Sequence, residues 1–262
     1  MRNVQINDHE NVPRNVIATG NDYADGFVLA KHHHMRGQCL YAITGVLTVT
    51  THTGSWVVPP HRALWVPAGV EHEVHMDGIT KTRNAYILPK AAQDAGLPNY
   101  CTVIAVSPLL HELLSTAVDL PAEYPLGGHN EHLMQLVIAE IALMPHLPLN
   151  APLPQEPRLA KLCRELLKSP SLDANLELVS KQVGMSRRNF TRLFRKETGM
   201  SFGQWRQQAC LLAALTRLSM GESVTQIAIE LGYSSTSAFT LSFRRALGAS
   251  PSQYIGDQID SK

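Results

Sequence analysis

The chain has 262 residues, 44% of them hydrophobic, and a formal net charge of +1. That suits one large or two ordinary domains and argues against a protein that coats polyanions without regard to sequence. No apolar run reaches the roughly 20 residues of a membrane-spanning helix, the opening MRNVQINDHENVPRN lacks the apolar stretch of a secretion signal, and the four cysteines have no paired spacing.

A cytoplasmic protein with reduced, mostly buried thiols at Cys39, Cys101, Cys163 and Cys210 is therefore expected. The near-neutral total hides a split. Residues 158–262 carry fifteen Lys/Arg against eight Asp/Glu, whereas residues 1–157 carry eight against fourteen. All twelve histidines lie at or before His146. A polyanionic partner belongs to the back of the chain and a different task to the front.

Residues 1–25 are polar and weakly patterned, which predicts an extended arm or a short edge strand. From Gly26 the reading is β: short β-branched or aromatic runs are broken by Gly and Pro. GVLTVTT and SWVVP read as strands joined at His52-Thr53-Gly54, and ALWVPAGVEHEV turns at Pro67-Ala68-Gly69. Further strands are expected over Thr80–Leu88 and Tyr100–Val106. Close-set short strands predict a small antiparallel barrel or jelly roll over residues 1–106.

Residues two apart on a strand face the same side, so His32 and His34 point together while His33 points away. If His72 returns on a neighbouring strand, three imidazoles converge. Glu71 and Glu73 then face the other way. The spacing His32-x-His34, Gln38, Gly45 and Pro67-x-Gly69-x-x-His72 resembles the two-part pattern of cupin barrels, the sensor module of many regulators. Two positions depart from it. Gln38 stands where that family has a metal-binding glutamate, and His61 stands at the glycine that opens its second motif.

The front half is thus expected to hold a small-molecule effector among His32, His34, Gln38, Tyr41, Trp56 and His72. Arg36 and Arg62 are candidates for holding an anionic effector. Gln38 supplies a neutral oxygen in place of a charged ligand, so no cofactor is expected; a divalent metal, if bound, would sit on His32, His34 and His72.

Ser107-Pro108 starts a helix to about Leu120, and NEHLMQLVIAEIALM predicts a second over Asn130–Met144 with a broad apolar face. Residues 107–144 are read as a helical dimerisation segment. PHLPLNAPLPQEP, residues 145–157, holds five prolines in thirteen residues and reads as an extended linker.

From Arg158 the chain is helical, and one pattern appears twice, at about 176–197 and 224–247. Each copy has a short helix, a glycine, a serine, and a second helix with two phenylalanines four apart. Gly184 and Gly232 end the first helices, Ser186 and Ser234 are placed to cap the second ones, and Phe190/Phe194 and Phe239/Phe243 face back on the core. This is a helix-turn-helix drawn twice. The outward faces carry Arg187, Arg188, Thr191, Arg192 and Arg195, then Ser235, Thr236, Ser237, Thr240, Arg244 and Arg245. Arginine's planar fork suits guanine edges and phosphates. Between the copies, Phe202–Leu218 predicts a helix of about 25 Å, long enough to hold two reading helices about one DNA turn apart.

The segments SRRNFTRLFRKETGMSF and IAIELGYSSTSAFTLSFRRALGASPSQY resemble the DNA-binding domain of AraC/XylS transcriptional regulators. The resemblance implies a multidomain α+β chain: a cupin-like sensor, helices, and an all-α domain at 158–262 with two helix-turn-helix motifs on a linker helix. It further implies operator DNA, a small-molecule effector, RNA polymerase and a second copy of the chain as partners, with no membrane and no catalytic residues. The alternative is a metal-dependent cupin enzyme fused to a DNA-binding domain, against which Gln38 counts.

Overall fold

The computed structural model describes residues 9–173 and 175–254. The first eight residues of the expected N-terminal arm and the last eight of the expected C-terminal domain lie outside them. The chain divides into two compact units, one built mainly from the residues before Leu149 and one from Leu149 onward.

The first unit is an antiparallel sheet covered by helices. In chain order its strands are β1 (Val16–Tyr23), β2 (Val28–His32), β3 (Gly37–Thr51), β4 (Gly54–Val58), β5 (Arg62–Val66), β6 (His72–Ile87), then β7 (Thr102–Ala105) and β8 (His146–Leu147). A short helix α1 (Pro89–Asp94) follows β6, and α2 (Pro108–Ala117) and α3 (His129–Leu143) follow β7. The two long strands β3 and β6 are the spine. One half of β6 pairs with β1, the other with β2, and β3 pairs with β6 along its length while also pairing β5 and β4.

The spine bends where its register slips, between Ala42 and Val46. Gly45 there has φ +71°, and a Cβ on it would lie 2.2 Å from Thr80 Oγ1 and 2.9 Å from Thr80 Cα, so only glycine lets the two strands approach at the bend.

The expected closed barrel does not form: the sheet is open, with the hydrogen-bonded path β1-β6-β3-β5-β7-β8. One face is covered by helices instead. Cys39, Tyr41, Trp65, Ala85 and Ile87 pack with Leu110 and Leu114 of α2 and Met134, Val137 and Ile141 of α3 in one buried cluster. Alternation along the strands sends Gln38, Leu40, Asn84 and Tyr86 to the other face.

The proline-rich stretch 145–157 is extended, as its composition predicts, but it is not free chain. His146–Leu147 pairs with β7, while the indole of Trp205 donates to the Pro152 carbonyl (2.7 Å) beside β9 (Asn150–Pro152).

The second unit is helical: α4 (Pro157–Lys168), α5 (Leu176–Gln182), α6 (Arg187–Thr198), α7 (Phe202–Ser219), α8 (Val224–Glu230) and α9 (Thr236–Leu247). Its axis is α7, begun by a capping box of Ser201 and Gln204. Nine of its side chains, from Phe202 to Leu218, are buried because α4, α6 and α8 all pack on it. Its 18 residues span about 27 Å. Burial pushes the thiols of Cys39, Cys101, Cys163 and Cys210 up to about 12, so they stay protonated and unreactive at neutral pH.

Candidate nucleic-acid interface and a histidine-lined cavity

Two helix pairs in the second unit, α5–α6 and α8–α9, share one construction. Gly184 (φ +67°) and Gly232 (φ +77°) end the first helix of each pair in the left-handed conformation. The first pair is capped as expected, Ser186 accepting from the Asn189 amide at 3.3 Å. In the second the cap is Ser235, not Ser234: its side chain accepts from the Ala238 amide at 3.1 Å.

The reason is the phenylalanine register. Phe190 lies four residues after Ser186, and Phe239 lies four after Ser235. Counting back from the buried ring, rather than forward from the glycine, finds the right serine. The extra turn residue lets the Tyr233 ring pack edge-on against Phe239 at 5.2 Å. Ser235→Ala is expected to destabilise the second unit by about 1 kcal/mol, and Ser234→Ala to have less than half that effect, measured by urea unfolding.

Phe190, Phe194, Phe239 and Phe243 are fully buried. Their burial turns the opposite faces of α6 and α9 outward. Arg187, Arg188, Thr191, Arg192 and Arg195 are all exposed on α6 and line one open concavity of about 900 Å³ with Leu176 and Lys196. Arg192 Nη2 donates to Asn189 Oδ1 (3.0 Å), and Thr191 Oγ1 donates to the Arg187 carbonyl (2.9 Å).

On α9 the picture is less charged. Ser237 and Arg244 are exposed, Thr236 and Thr240 are half-buried, and Leu241 stands 42% exposed among them. Gln207 of α7 donates to Ser242 Oγ (2.8 Å), so part of the α9 face is already tied to the axis. Asn189 was not singled out from sequence; its contact to Arg192 follows from their i, i+3 spacing.

The first unit holds a cavity of about 320 Å³ on the sheet face away from α2 and α3. His32, His34 and Gln38 line it, together with Asn21, Tyr23, Leu29, Met76, Asn84 and Tyr86, which sequence reading had not singled out. Tyr41 does not join them. It lies on the helix-covered face, its hydroxyl 2.7 Å from His111 Nδ1. Gln38 and Tyr41 are three apart on one strand, so they face opposite sides, and parity alone excludes their sharing a pocket. Trp56, buried on β4, is not part of the lining either. The guanidinium of Arg36 is committed elsewhere: it donates to the carbonyls of Glu10, Val12 and Arg14 at 3.0, 2.6 and 2.8 Å. Arg62 donates to the His61 carbonyl (2.8 Å).

The three histidines do converge. His32 ends β2 opposite His72 at the start of β6, their rings 4.4 Å apart. The Gly69 amide donates to the His34 carbonyl (2.8 Å), which brings the His34 ring within 5.5 Å of that of His72. One nitrogen from each lies within 4.8 Å of those of the other two. Burial, and after it neighbouring histidines, holds His34 down at about 3; burial holds His72 at about 4 despite its bond to the Val70 carbonyl. Both are neutral at pH 7.

The helix-turn-helix domain family matches residues 179–256. Over 224 residues the chain is 34% identical to the HTH-type transcriptional regulator NimR of Escherichia coli K12, covering 86% of this chain and 81% of that protein. It is 36% identical over 81 residues to the regulatory protein SoxS of the same organism, covering 30% of this chain and 76% of that one. Among solved structures, ToxT from Vibrio cholerae O395 matches with 11% identity and a TM-score of 0.38, covering 92% of this chain and 97% of that chain. The likeness to NimR extends over most of both chains, more than the second unit alone could supply, and so places the chain in the AraC family of transcriptional regulators.

Proposed function

We propose that this DNA-binding regulator reads its operator mainly through α6 and responds to a small molecule held in the cavity of the first unit. The observation that carries the second half is a set of buried acceptors without donors. Asn21 Oδ1, Gln38 Oε1 and Asn84 Oδ1 are buried, have no hydrogen-bond partner, and line the same cavity. An unsatisfied buried acceptor costs about 1–3 kcal/mol. A ligand rich in N–H or O–H groups would recover that cost at three points, and a cavity of about 320 Å³ admits a compact one. By binding one arrangement of the protein better than another, it would shift DNA occupancy or contact with RNA polymerase. The exposed Leu136 and Leu143 of α3 are offered as the contact to a second copy of the chain.

The test is a thermal-melt screen of small, donor-rich molecules on the full chain, followed by DNA titration with operator recovered by in vitro selection. A cognate ligand raises the melting temperature and changes operator affinity. Asn84→Leu, which replaces one of the three buried acceptors with an apolar side chain, should abolish both effects. Ligands that stabilise wild type and Asn84→Leu equally would place the effector site elsewhere.

A further inference from the structure

The two helix-turn-helix turns are held by one and the same element. Val183 ends α5 and Leu231 ends α8, so their carbonyls occupy the same place in the two pairs. Each carbonyl is met from the stretch around α4. Arg158, at the start of α4, donates from Nη1 to the Val183 carbonyl (3.1 Å). Leu172, just past its end, donates its backbone amide to the Leu231 carbonyl (3.0 Å). The second approach is the closer one. A Cβ on Gly232 would lie 3.0 Å from Asp173 Oδ2 and 3.1 Å from Ser171 Oγ, whereas one on Gly184 would come no nearer than 3.7 Å to Arg158 Nη1.

Arg206 holds that second end. It rises from α7 one turn after Phe202, with its guanidinium carbon 5.2 Å from the centre of the Phe202 ring, and its Nη1 donates to the Leu172 carbonyl at 2.7 Å. Leu172 is thus gripped on both sides, its carbonyl by Arg206 and its amide by the turn of the second pair. A short hydrogen bond from a half-buried guanidinium is stronger than one between neutral groups. Phe202 packs edge-on against Phe190 and Phe194 of α6, at 5.2 and 5.4 Å. A continuous path therefore runs from the core side of α6 through Phe202, Arg206 and Leu172 to the turn that leads into α9.

We propose that α4 is a strut between the two turns, pinned by Arg158 at one and by Arg206 through Leu172 at the other, and that Arg206 is the positioning residue that fixes α9 relative to α6. The 12 residues of α4 form a rod about 18 Å long, which holds the distance between its ends. The α7 axis and the Gln207–Ser242 bond tie the second pair independently, so freeing the strut loosens α9 without detaching it. Two modules held in one orientation bind as a unit. Loosening them lowers the effective concentration of the second at its site and widens the spacings it tolerates. The strut rests on the reading that α6 and α9 both enter the major groove.

The test titrates the full chain with operator recovered by in vitro selection, and with duplexes in which one base pair is inserted or deleted between the two contacted segments. Each change moves one segment by about 3.4 Å and turns it by about 35°. Wild type should lose about 30-fold or more in affinity on the altered duplexes. Arg206→Met, which keeps an unbranched stem over Phe202, should bind the unaltered operator about 10-fold more weakly and show a spacing penalty below about 5-fold. Arg206→Lys, which still donates to the Leu172 carbonyl, should restore most of both. Arg158→Met should act in the same direction. The double variant should fall within about 2-fold of the weaker single one, because one freed end already releases the strut.

Arg206→Met that keeps the wild-type spacing penalty overturns the proposal, since lost stability weakens every duplex alike. Losses that multiply in the double variant overturn the strut. Should Arg206→Met unfold by helical circular dichroism, the spacing penalty of Arg158→Met, at an exposed position, decides the question in the same way. A wild-type protein indifferent to spacing overturns the two-helix reading and the strut with it.

Discussion

Arg192→Ala is expected to reduce the preference for operator over random DNA by about 10- to 100-fold, while Ser237→Ala costs much less. A bidentate arginine–guanine contact contributes roughly 1–3 kcal/mol of discrimination, whereas a hydroxyl serves as donor or acceptor and discriminates less. The outward faces of α6 and α9 present these chemistries unequally. The exposed face of α6 carries four arginines, and Asn189 holds one guanidinium edge of Arg192 in place at 3.0 Å. On α9 the corresponding face carries hydroxyls and Leu241, which offers at best contact with a thymine methyl group. Arg244 and Arg245 lie in the last turn of α9, where binding to phosphate adds affinity and salt dependence without reading sequence. Competition binding of both variants against operator and scrambled duplexes at one salt concentration checks this. Equal loss in the two variants would mean that α9 reads bases as closely as α6.

Phe194→Ala should destabilise the second unit by about 3–5 kcal/mol, the usual range for removing a buried aromatic ring. Phe194 is fully buried and its ring centroid lies 5.5 Å from Phe190, 5.4 Å from Phe202 and 6.0 Å from Trp205. Phe202 and Trp205 lie in the first turn of α7, so this cluster fixes α6 to the axis. A domain stable by about 5–15 kcal/mol loses a large share of its margin. Urea unfolding of the full chain followed by helical circular dichroism would show the midpoint of the helical transition falling. Met220→Ala, at a 52% exposed position, should move it by less than about 0.5 kcal/mol. A Phe194→Ala shift no larger than that control would mean that the cluster contributes little to holding α6.

The second unit was legible because its signals are local. Glycines at helix exits, serines before helix starts and phenylalanines four apart are read within a single turn, and the resulting helices α6, α7 and α9 fall close to the expected bounds. The one error there, Ser234 for Ser235, came from counting across a turn whose length differs between the copies, when the buried ring set the register. Strand parity showed that His32 and His34 face the same side, whereas the arrival of His72 beside them depended on the pairing of β2 with β6.

By itself the sequence determined the paired helix-turn-helix units, their basic outward face, the split of charge along the chain and the shared facing of His32 and His34, all of which follow from local spacing or composition. Tertiary structure alone decided that the sheet stays open under α2 and α3, that Asn21, Tyr23, Asn84 and Tyr86 complete the cavity while Tyr41 leaves it, and that Arg36 grips the 9–14 segment instead of an effector. These depend on which strands pair and on the register between residues far apart in the chain, as with Thr19 beside Asn84, 65 positions away. Side-chain pattern within one strand shows only which face a residue takes; the neighbour it meets there is chosen by backbone hydrogen bonds between distant segments.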